Sequence, residues 1–280
     1  MVEEQRSRVA RRAAEAALVR VIHHYGSRPE FVVIGGLVPE LLCVGSEFRH
    51  AGTTDIDVQV NLEIACGAVN TARLERALRN AEFVPTSERI WRWVVDDGQG
   101  RPKILVKFEL LADLDTTPAG DIFSFEGCKD LGAVNLRGTG FAARHFDVVN
   151  LKAKVSDTTY EVQVNVASIA GFILAKAAAA YSRRKAKDWY DIAFVLLHNS
   201  GGGIKFAADE VRAKFQDELV GSVRTALDDL LANFDSPKCQ GPQAYSEQMF
   251  ADHPELDNKM LLADAVVAVK EFYDLLFSAG

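Results

Sequence analysis

Two aspartates separated by a single residue, Asp55 and Asp57, are the clearest candidates for chemistry in this 280-residue chain. They lie in the segment TTDIDVQV, whose alternation of polar and apolar residues predicts a β-strand. Residues two apart in a strand share a face, so the two carboxylates should lie side by side. Like charges held that close repel each other unless a cation lies between them, and Mg²⁺ prefers oxygen ligands of this kind. The pattern favours a metal site over the alternative, a strand with two merely exposed aspartates.

A pair of glycines precedes this strand and is suited to holding a phosphate. Gly35 and Gly36 follow the apolar residues 31–34, which predict a buried strand, and a short helix should come next. Glycine lets the backbone N–H groups at a helix N-terminus approach a phosphate closely. A phosphate-binding turn beside a metal-binding pair of carboxylates is the equipment needed for nucleotidyl transfer.

These two segments, GGLVPELL and TTDIDV, resemble the signature of the DNA polymerase β-like nucleotidyltransferase superfamily. More narrowly, they resemble the toxin half of abortive-infection toxin–antitoxin pairs of type IV and its tRNA-modifying relatives. The long interval between Gly36 and Asp55 suits that branch. Gly36 stands where many relatives have a serine that contacts the nucleotide phosphate, so this hydroxyl contact is expected to be absent. Arg49 and Thr54, within the same motif, join the glycines as predicted nucleotide-binding residues.

The resemblance implies a third carboxylate on a neighbouring strand. The alternating residues 89–95, the turn-forming residues 96–102 and the apolar residues 103–111 predict a β-hairpin. The return strand, VKFELLADL, resembles the superfamily strand that carries the acid, which assigns this role to Glu109. That acid would join the aspartates as a metal ligand and help deprotonate the attacking hydroxyl, with Lys107 on the same face. The alternative for Glu109 is a solvent-facing residue of an amphipathic strand.

A second motif lies in the alanine-rich residues 168–197, which predict helix with Ser168 as its N-terminal cap. Lys176 lies in apolar surroundings, where a charge usually has a partner or a function. Asp188 and Asp191 are three residues apart and share a helical face. This block resembles the second conserved block of the toxin nucleotidyltransferases, which implies that Lys176 contacts nucleotide phosphates and that Asp188 pairs with basic residues at the site. The alternative is a surface ion pair, worth less than about 1 kcal/mol.

The net charge of −7 argues against a protein that binds nucleic acid through a broadly basic domain. The same charge, with no recognisable recognition-helix motif, disfavours a DNA-binding regulator. An RNA substrate would need a local basic patch, and the densest one is the cluster Arg183, Arg184, Lys185 and Lys187. Such a cluster can hold the phosphates of an acceptor, although a solvated helix end has the same composition.

The composition predicts a globular protein of the cytoplasm. Hydrophobic residues make up 48% of the chain, enough for a sizeable core, and no apolar run is long enough to span a bilayer. The N-terminal segment is charged and lacks the apolar core of a signal peptide. The cysteines show no C-x-x-C spacing and are expected to be reduced thiols; they are Cys43, Cys66, Cys128 and Cys239.

The predicted fold is α/β (α+β), with a nucleotidyltransferase-type mixed β-sheet core over residues 1–165 and a helical C-terminal domain over residues 166–280. A strand pair is expected within residues 139–149, and a last short strand at 160–164. A polar connection that contains Pro237, Pro242 and Pro254 is expected between the later helices. Besides residues 168–197, the segments that read as helix are 5–25, 71–81, 207–215, 218–234 and 258–277.

The resemblance implies the reaction. An acceptor hydroxyl would attack the α-phosphate of an NTP and release pyrophosphate, with two Mg²⁺ ions held by Asp55, Asp57 and Glu109. In the resembling toxins the acceptor is the 3′ end of tRNA, and a cognate antitoxin protein is the expected partner. No membrane partner is expected. The alternatives are transfer to a small molecule such as an antibiotic, transfer to a protein side chain, and nucleotide binding without catalysis.

Overall fold

The structure, a computed structural model, describes residues 8–60, 70–86, 89–96, 104–155 and 157–277. The chain divides into two compact units. The first comprises Met1–Val38 and Gly52–Ala167, and the second comprises Pro39–Ala51 and Ser168–Gly280. The domain boundary at residue 165 stays a prediction, and the structure adds that Pro39–Ala51, between the glycine turn and the aspartate strand, packs within the second unit.

A mixed β-sheet forms the centre of the first unit. The strands are β1 Val32–Ile34, β2 Asp55–Gln59, β3 Val84–Thr86, β4 Arg89–Asp96, β5 Leu105–Ala112, β6 Ile122–Ser124, β7 Gly132–Asn135, β8 Phe146–Val155 and β9 Thr158–Ala167. The main path of the sheet runs β3-β4-β5-β2-β1-β9-β8, and the short β6 and β7 extend it beside β5. The pairs β2–β5 and β1–β9 are parallel, whereas β1–β2, β4–β5 and β8–β9 are antiparallel. This mixed sheet confirms the predicted fold class.

Helices cover the sheet because each presents one apolar face. In the first helix, Ala14, Leu18, Val21 and Tyr25 recur at helical spacing and are buried against the neighbouring helix and strands β8 and β9. A single 3₁₀ turn, Gly35–Leu37, follows β1. The helices that begin in this unit are α1 Arg8–Tyr25, α2 Val38–Leu42, α3 Thr71–Asn80 and α4 Gly140–Arg144.

The second unit is helical. Ser168 caps its first helix, as predicted, since the Ser168 hydroxyl accepts a hydrogen bond from the Gly171 N–H at 3.4 Å. A 3₁₀ turn, Gln216–Glu218, links two of the later helices. The helices are α5 Ile169–Arg183, α6 Ala186–His198, α7 Ile204–Phe215, α8 Gly221–Asn233, α9 Gln240–Asp252 and α10 Asn258–Phe277.

Two predicted elements are wrong in type. The expected strand pair within residues 139–149 is the short helix α4 followed by the start of β8, whose partner is β9. The Asp113 carboxylate accepts hydrogen bonds from the N–H groups of Gly138 and Gly140 at 2.8 and 2.9 Å, and so stabilises the turn into α4. The expected polar connection contains helix α9. Pro242 lies in its first turn, where the missing N–H costs no intrahelical bond.

One predicted helix is divided. Residues 168–197 form α5 and α6, and the break falls at Arg184, whose φ of +51° is left-handed. Such a residue ends a helix because it turns the chain away from the axis. The two strands of the predicted hairpin, β4 and β5, pair antiparallel as predicted. Of the predicted turn 96–102, Asp96 belongs to β4 and residues 97–102 lie outside the described residues.

The structure also describes three of the four cysteines and the helices that could be compared with a membrane span. Cys43, Cys128 and Cys239 are free thiols, and burial raises the pKa of Cys43 to about 12. Cys66 lies outside the described residues. Across the described part of the chain, each helix is too short or too polar to cross a bilayer.

We predict that Phe108→Ala lowers the free energy of unfolding by about 3–5 kcal/mol. Phe108 is fully buried on β5, with its ring 5.9 Å from that of Phe31 and 6.0 Å from that of Phe83. Leu105→Ala is the control, since Leu105 lies on the same strand and is 51% exposed. Urea unfolding should give a loss within about 0.5 kcal/mol for the control. Equal losses in the two variants would contradict the placement of Phe108.

Candidate active site

The pairing of β2 with β5 brings the acidic residues to one face of the sheet. Asp57 lies opposite Glu109, and Asp55 lies opposite Lys107. Because side chains alternate along both strands, these four point to the same side. The residues between them, such as Ile56, point to the other side and are fully buried. The sequence predicted this grouping of Asp55, Asp57, Lys107 and Glu109.

Basic side chains interleave with the carboxylates on this face. Lys107 Nζ lies 3.3 Å from Asp55 Oδ1. Arg92 pairs with Glu109 across the antiparallel β4–β5 ladder, and its Nε donates to Glu109 Oε1. The side chains of Asp55 and Glu109 are only 12% and 13% exposed. The charge of this acidic face is therefore partly balanced by its own neighbours.

Glu109 carries the electrostatic signature of grouped carboxylates. Burial and the nearby carboxylate of Asp57 raise the pKa of Glu109 to about 7, with a smaller contribution from Asp55. The guanidinium of Arg92 opposes this rise. The pKa of a carboxyl group rises when its ionisation would add a further negative charge to a buried acidic cluster.

Gly35 allows the turn after β1 to approach Asp57. Ile34 is the β1 partner of Asp57, and Gly35 follows with a φ of +75°. A Cβ at Gly35 would lie 2.1 Å from Asp57 Oδ2, closer than any side chain permits. Any other residue would be strained in this conformation and would displace the aspartate. Glycine at this position follows from both its φ and its contact.

Gly36 also leaves little room for a side chain, and the neighbouring group here is Thr53. A Cβ there would lie 3.0 Å from Thr53 Cβ and 3.3 Å from Thr53 Oγ1. The Thr53 hydroxyl accepts a hydrogen bond from the N–H of Asp55 at 3.0 Å. A serine at position 36 would therefore be in tight contact with Thr53, which would have to shift slightly to accommodate it. The sequence did not indicate a role for Thr53.

The donor set on this face suits a hard divalent cation, since three carboxylates supply only oxygen ligands. The raised pKa of Glu109 fits as well, because a cation would relieve the repulsion that causes it. Among the described residues, however, no three His, Cys, Asp or Glu side chains meet in a metal-binding cluster. In this arrangement Glu109 contacts Arg92, and Asp55 faces Lys107. Metal binding by Asp55, Asp57 and Glu109 stays a prediction.

The second predicted block forms a buried charge network within the helical unit. Lys176 Nζ lies 3.2 Å from Asp188 Oδ1 and 2.7 Å from Asp191 Oδ2. Arg183 adds two hydrogen bonds of 2.6 Å to the Asp188 carboxylate. Lys176 is 6% exposed and both aspartates are fully buried. The surface ion pair considered from the sequence therefore does not describe this pair.

The network favours the charged forms of Lys176 and Asp188. Burial alone would lower the pKa of Lys176, but the carboxylates of Asp191 and Asp188 reverse this effect and raise it. Burial alone would raise the pKa of Asp188, but Lys176 and Arg183 lower it. A buried charge is tolerated when it is paired and hydrogen-bonded in this way.

His50 also belongs to this network, although its position in the sequence did not indicate a role. Its Nε2 lies 2.9 Å from Asp191 Oδ1, and both side chains are fully buried. The two residues are 141 positions apart, so only the folded structure brings them together. The lone His50 in a polar segment gave no signal from which this contact could have been found.

The other predicted nucleotide-binding and acceptor-binding residues have their own contacts. Arg49 forms an ion pair of 3.1 Å with Glu40, and its side chain is 50% exposed. The backbone carbonyl of Thr54 accepts a hydrogen bond from the Lys107 N–H at 3.0 Å. In the basic cluster, Arg184 pairs with Asp229 at 2.7 Å. Nucleotide binding by Gly35, Gly36, Arg49, Thr54 and Lys176 and acceptor binding by Arg183, Arg184, Lys185 and Lys187 stay predictions.

Residues 16–266 match the family model described as nucleotidyl transferase AbiEii toxin, type IV TA system. No curated protein matches the chain. Among solved structures, the chain is similar to that of an H. pylori protein described as a nucleotidyltransferase, with 12% identity, 94% coverage of each chain and a TM-score of 0.40. A similarity at this identity and TM-score supports no conclusion about this chain.

We predict that Gly35→Ala destabilises the protein by at least about 2 kcal/mol, because it adds both backbone strain and a clash with Asp57. Gly120→Ala is the matched control. Gly120 also has a left-handed φ, +90°, but a Cβ there would meet no atom within 4 Å. The control should lose about 1 kcal/mol in urea unfolding. If both alanines cost the same, the close approach of Gly35 to Asp57 is not what requires the glycine.

Proposed function

The chain belongs to the AbiEii nucleotidyl transferase toxin family of type IV toxin–antitoxin systems, and we propose that it transfers a nucleoside monophosphate from an NTP to the 3′ end of tRNA. One observation of the structure supports the catalytic part most strongly. Asp55, Asp57 and Glu109 lie on one face of two paired strands, with Gly35 against Asp57. That face combines acidic ligands with an adjacent glycine turn, the parts that this chemistry needs.

In the proposed reaction, Asp55, Asp57 and Glu109 hold divalent cations, which we take to be Mg²⁺. The chemistry that such ions supply when bound is alignment of the attacking hydroxyl and neutralisation of charge on the leaving pyrophosphate. The acceptor hydroxyl gives up its proton with the help of Glu109, and its oxygen forms a bond to the α-phosphorus as the bond between that phosphorus and the β-phosphate oxygen breaks. Arg92 and Lys107 hold the Glu109 and Asp55 carboxylates in place on the sheet face before the substrates bind.

Lys176 contributes positive charge for the nucleotide phosphates in this proposal. An ammonium group has three N–H donors, and the Nζ of Lys176 lies 3.2 Å from an Asp188 oxygen and 2.7 Å from an Asp191 oxygen. We assign its remaining donor capacity to a phosphate oxygen. Asp188 contacts both Lys176 and Arg183 and orients Lys176 in this proposal. Pairing with basic residues is the role that the family resemblance implies for Asp188.

The family supports the acceptor and the partner that we propose. A toxin that nucleotidylates the tRNA 3′ end acts in the cytoplasm, where tRNA is charged, and a cognate antitoxin protein restrains it. We propose that the cluster Arg183, Arg184, Lys185 and Lys187 contacts acceptor phosphates. The competing acceptors are an antibiotic-like small molecule and a protein side chain.

Incubation of the protein with each α-labelled NTP, Mg²⁺ and total RNA tests this proposal. We expect label in the tRNA fraction, pyrophosphate release, and loss of both on addition of a chelator. Label in protein or in a small molecule would contradict the tRNA acceptor. The absence of any transfer product under all conditions would contradict catalysis itself.

In the same assay, we predict that Asp57→Asn lowers the rate of pyrophosphate release at least about 100-fold, because a lost metal ligand removes several kcal/mol of transition-state stabilisation. The control is Asp121→Asn, the same chemical change at an exposed position before β6. Both variants should unfold near the wild-type temperature. Wild-type activity in Asp57→Asn would rule out this site.

A further inference from the structure

His50 is a fully buried titratable side chain to which the proposed reaction gives no task. It contacts Asp191, the aspartate nearest to the ammonium of Lys176. We propose that His50 is a positioning residue, which fixes the Asp191 carboxylate and through it the Lys176 ammonium. This inference rests on the proposed function for its kinetic consequence, but the positioning itself is a property of the helical unit alone.

The hydrogen-bonding chemistry fixes which group donates. Asp191 faces Lys176 with Oδ2 and His50 with Oδ1, at 2.7 and 2.9 Å. A carboxylate that faces an ammonium group is an acceptor, and we therefore assign the proton of this contact to Nε2 of His50. The two aspartates are then held in parallel ways. Arg183 and Lys176 hold Asp188, while His50 and Lys176 hold Asp191.

The ring of His50 is itself immobilised from several sides. It stacks on Tyr190, with ring centroids 5.0 Å apart and planes at 28°, and it meets the edge of Phe194 at 5.2 Å. Its backbone N–H donates to Glu40 at 2.9 Å, and the next N–H, of Ala51, donates to the Tyr190 hydroxyl at 3.1 Å. A side chain held this firmly can fix the carboxylate that it contacts.

A purely structural role for His50 is the competing explanation, and two substitutions separate the explanations. His50→Gln keeps an N–H donor at nearly the same reach but loses the aromatic ring. His50→Phe keeps the ring on Tyr190 but loses the donor and leaves Asp191 Oδ1 without it. Positioning predicts that the glutamine variant resembles the wild type, whereas packing predicts that the phenylalanine variant does.

The first readout is kinetic. We expect His50→Phe to lower kcat/KM for the NTP at least about tenfold, since an oriented hydrogen bond to a charged group is lost, with KM for tRNA unchanged. His50→Gln should stay within about threefold of the wild type. Adding His50→Phe to Lys176→Met should cause no further loss, because His50 acts through Lys176. Additive losses, or a fully active His50→Phe, would overturn the proposal.

The second readout does not depend on activity. The ¹⁵N-edited NMR signal of the Lys176 ammonium should be retained in His50→Gln and shifted or lost in His50→Phe. An unchanged signal in His50→Phe would overturn the positioning role. If His50→Phe does not fold, His50→Asn replaces it, since its shorter amide cannot reach Asp191. A wild-type-like signal in His50→Asn would then overturn the positioning role.

The two proposals can fail separately. Full activity of Lys176→Met would remove the assigned role of Lys176, whatever His50 does to the ammonium signal. An inactive Lys176→Met combined with a wild-type His50→Phe would leave the role of Lys176 intact and eliminate that of His50.

Discussion

The parallel pairing of β2 with β5 is the constraint on which the acidic face depends. Its register is set by the core, since Ile56 and Val58 of β2 and Phe108 of β5 are fully buried on the opposite side. A slip of one residue would exchange the faces and bury the carboxylates in apolar surroundings. The hydrophobic residues of these strands therefore decide where Asp57 and Glu109 lie, although they take no part in any reaction.

Both candidate sites use the same solution to the cost of grouping buried acids. On the sheet, Glu109 stays close to Asp57 with a raised pKa, while Arg92 supplies compensating charge. In the helical unit, Asp188 and Asp191 share Lys176, and Arg183 and His50 are further partners of Asp188 and Asp191 respectively. The difference lies in the balance. The cations of the helical network lower the pKa of Asp188, whereas the sheet face leaves Glu109 only partly compensated. A bound cation would therefore change the charge balance of the sheet face more than that of the helical network.

The sequence carried the local parts of this arrangement. The D-x-D spacing predicted the shared face of Asp55 and Asp57, and the position of Glu109 on the paired strand followed from the family resemblance. Long-range contacts were not predictable. Nothing local pairs His50 with Asp191, and nothing in the Gly36 turn shows that the Thr53 side chain fills the space beside it.

The errors in the predicted elements have the same origin. The pattern of the segment beginning at Gly140 predicts strand because its helix is short. The turn into that helix is stabilised by hydrogen bonds that Gly138 and Gly140 donate to the distant Asp113. Helix α9 was hidden by Pro242, which a first turn tolerates. Within residues 168–197, the break at Arg184 is a backbone conformation that apolar periodicity does not reveal.

The most direct test of the central claim is a crystal structure with Mn²⁺ and a non-hydrolysable NTP analogue. Mn²⁺ takes the same oxygen ligands as Mg²⁺ and gives an anomalous signal that locates it. The account predicts an anomalous peak on the sheet face, within coordination distance of carboxylate oxygens from Asp55, Asp57 and Glu109. A nucleotide bound with its metal elsewhere, and with these three carboxylates free of it, would contradict the account.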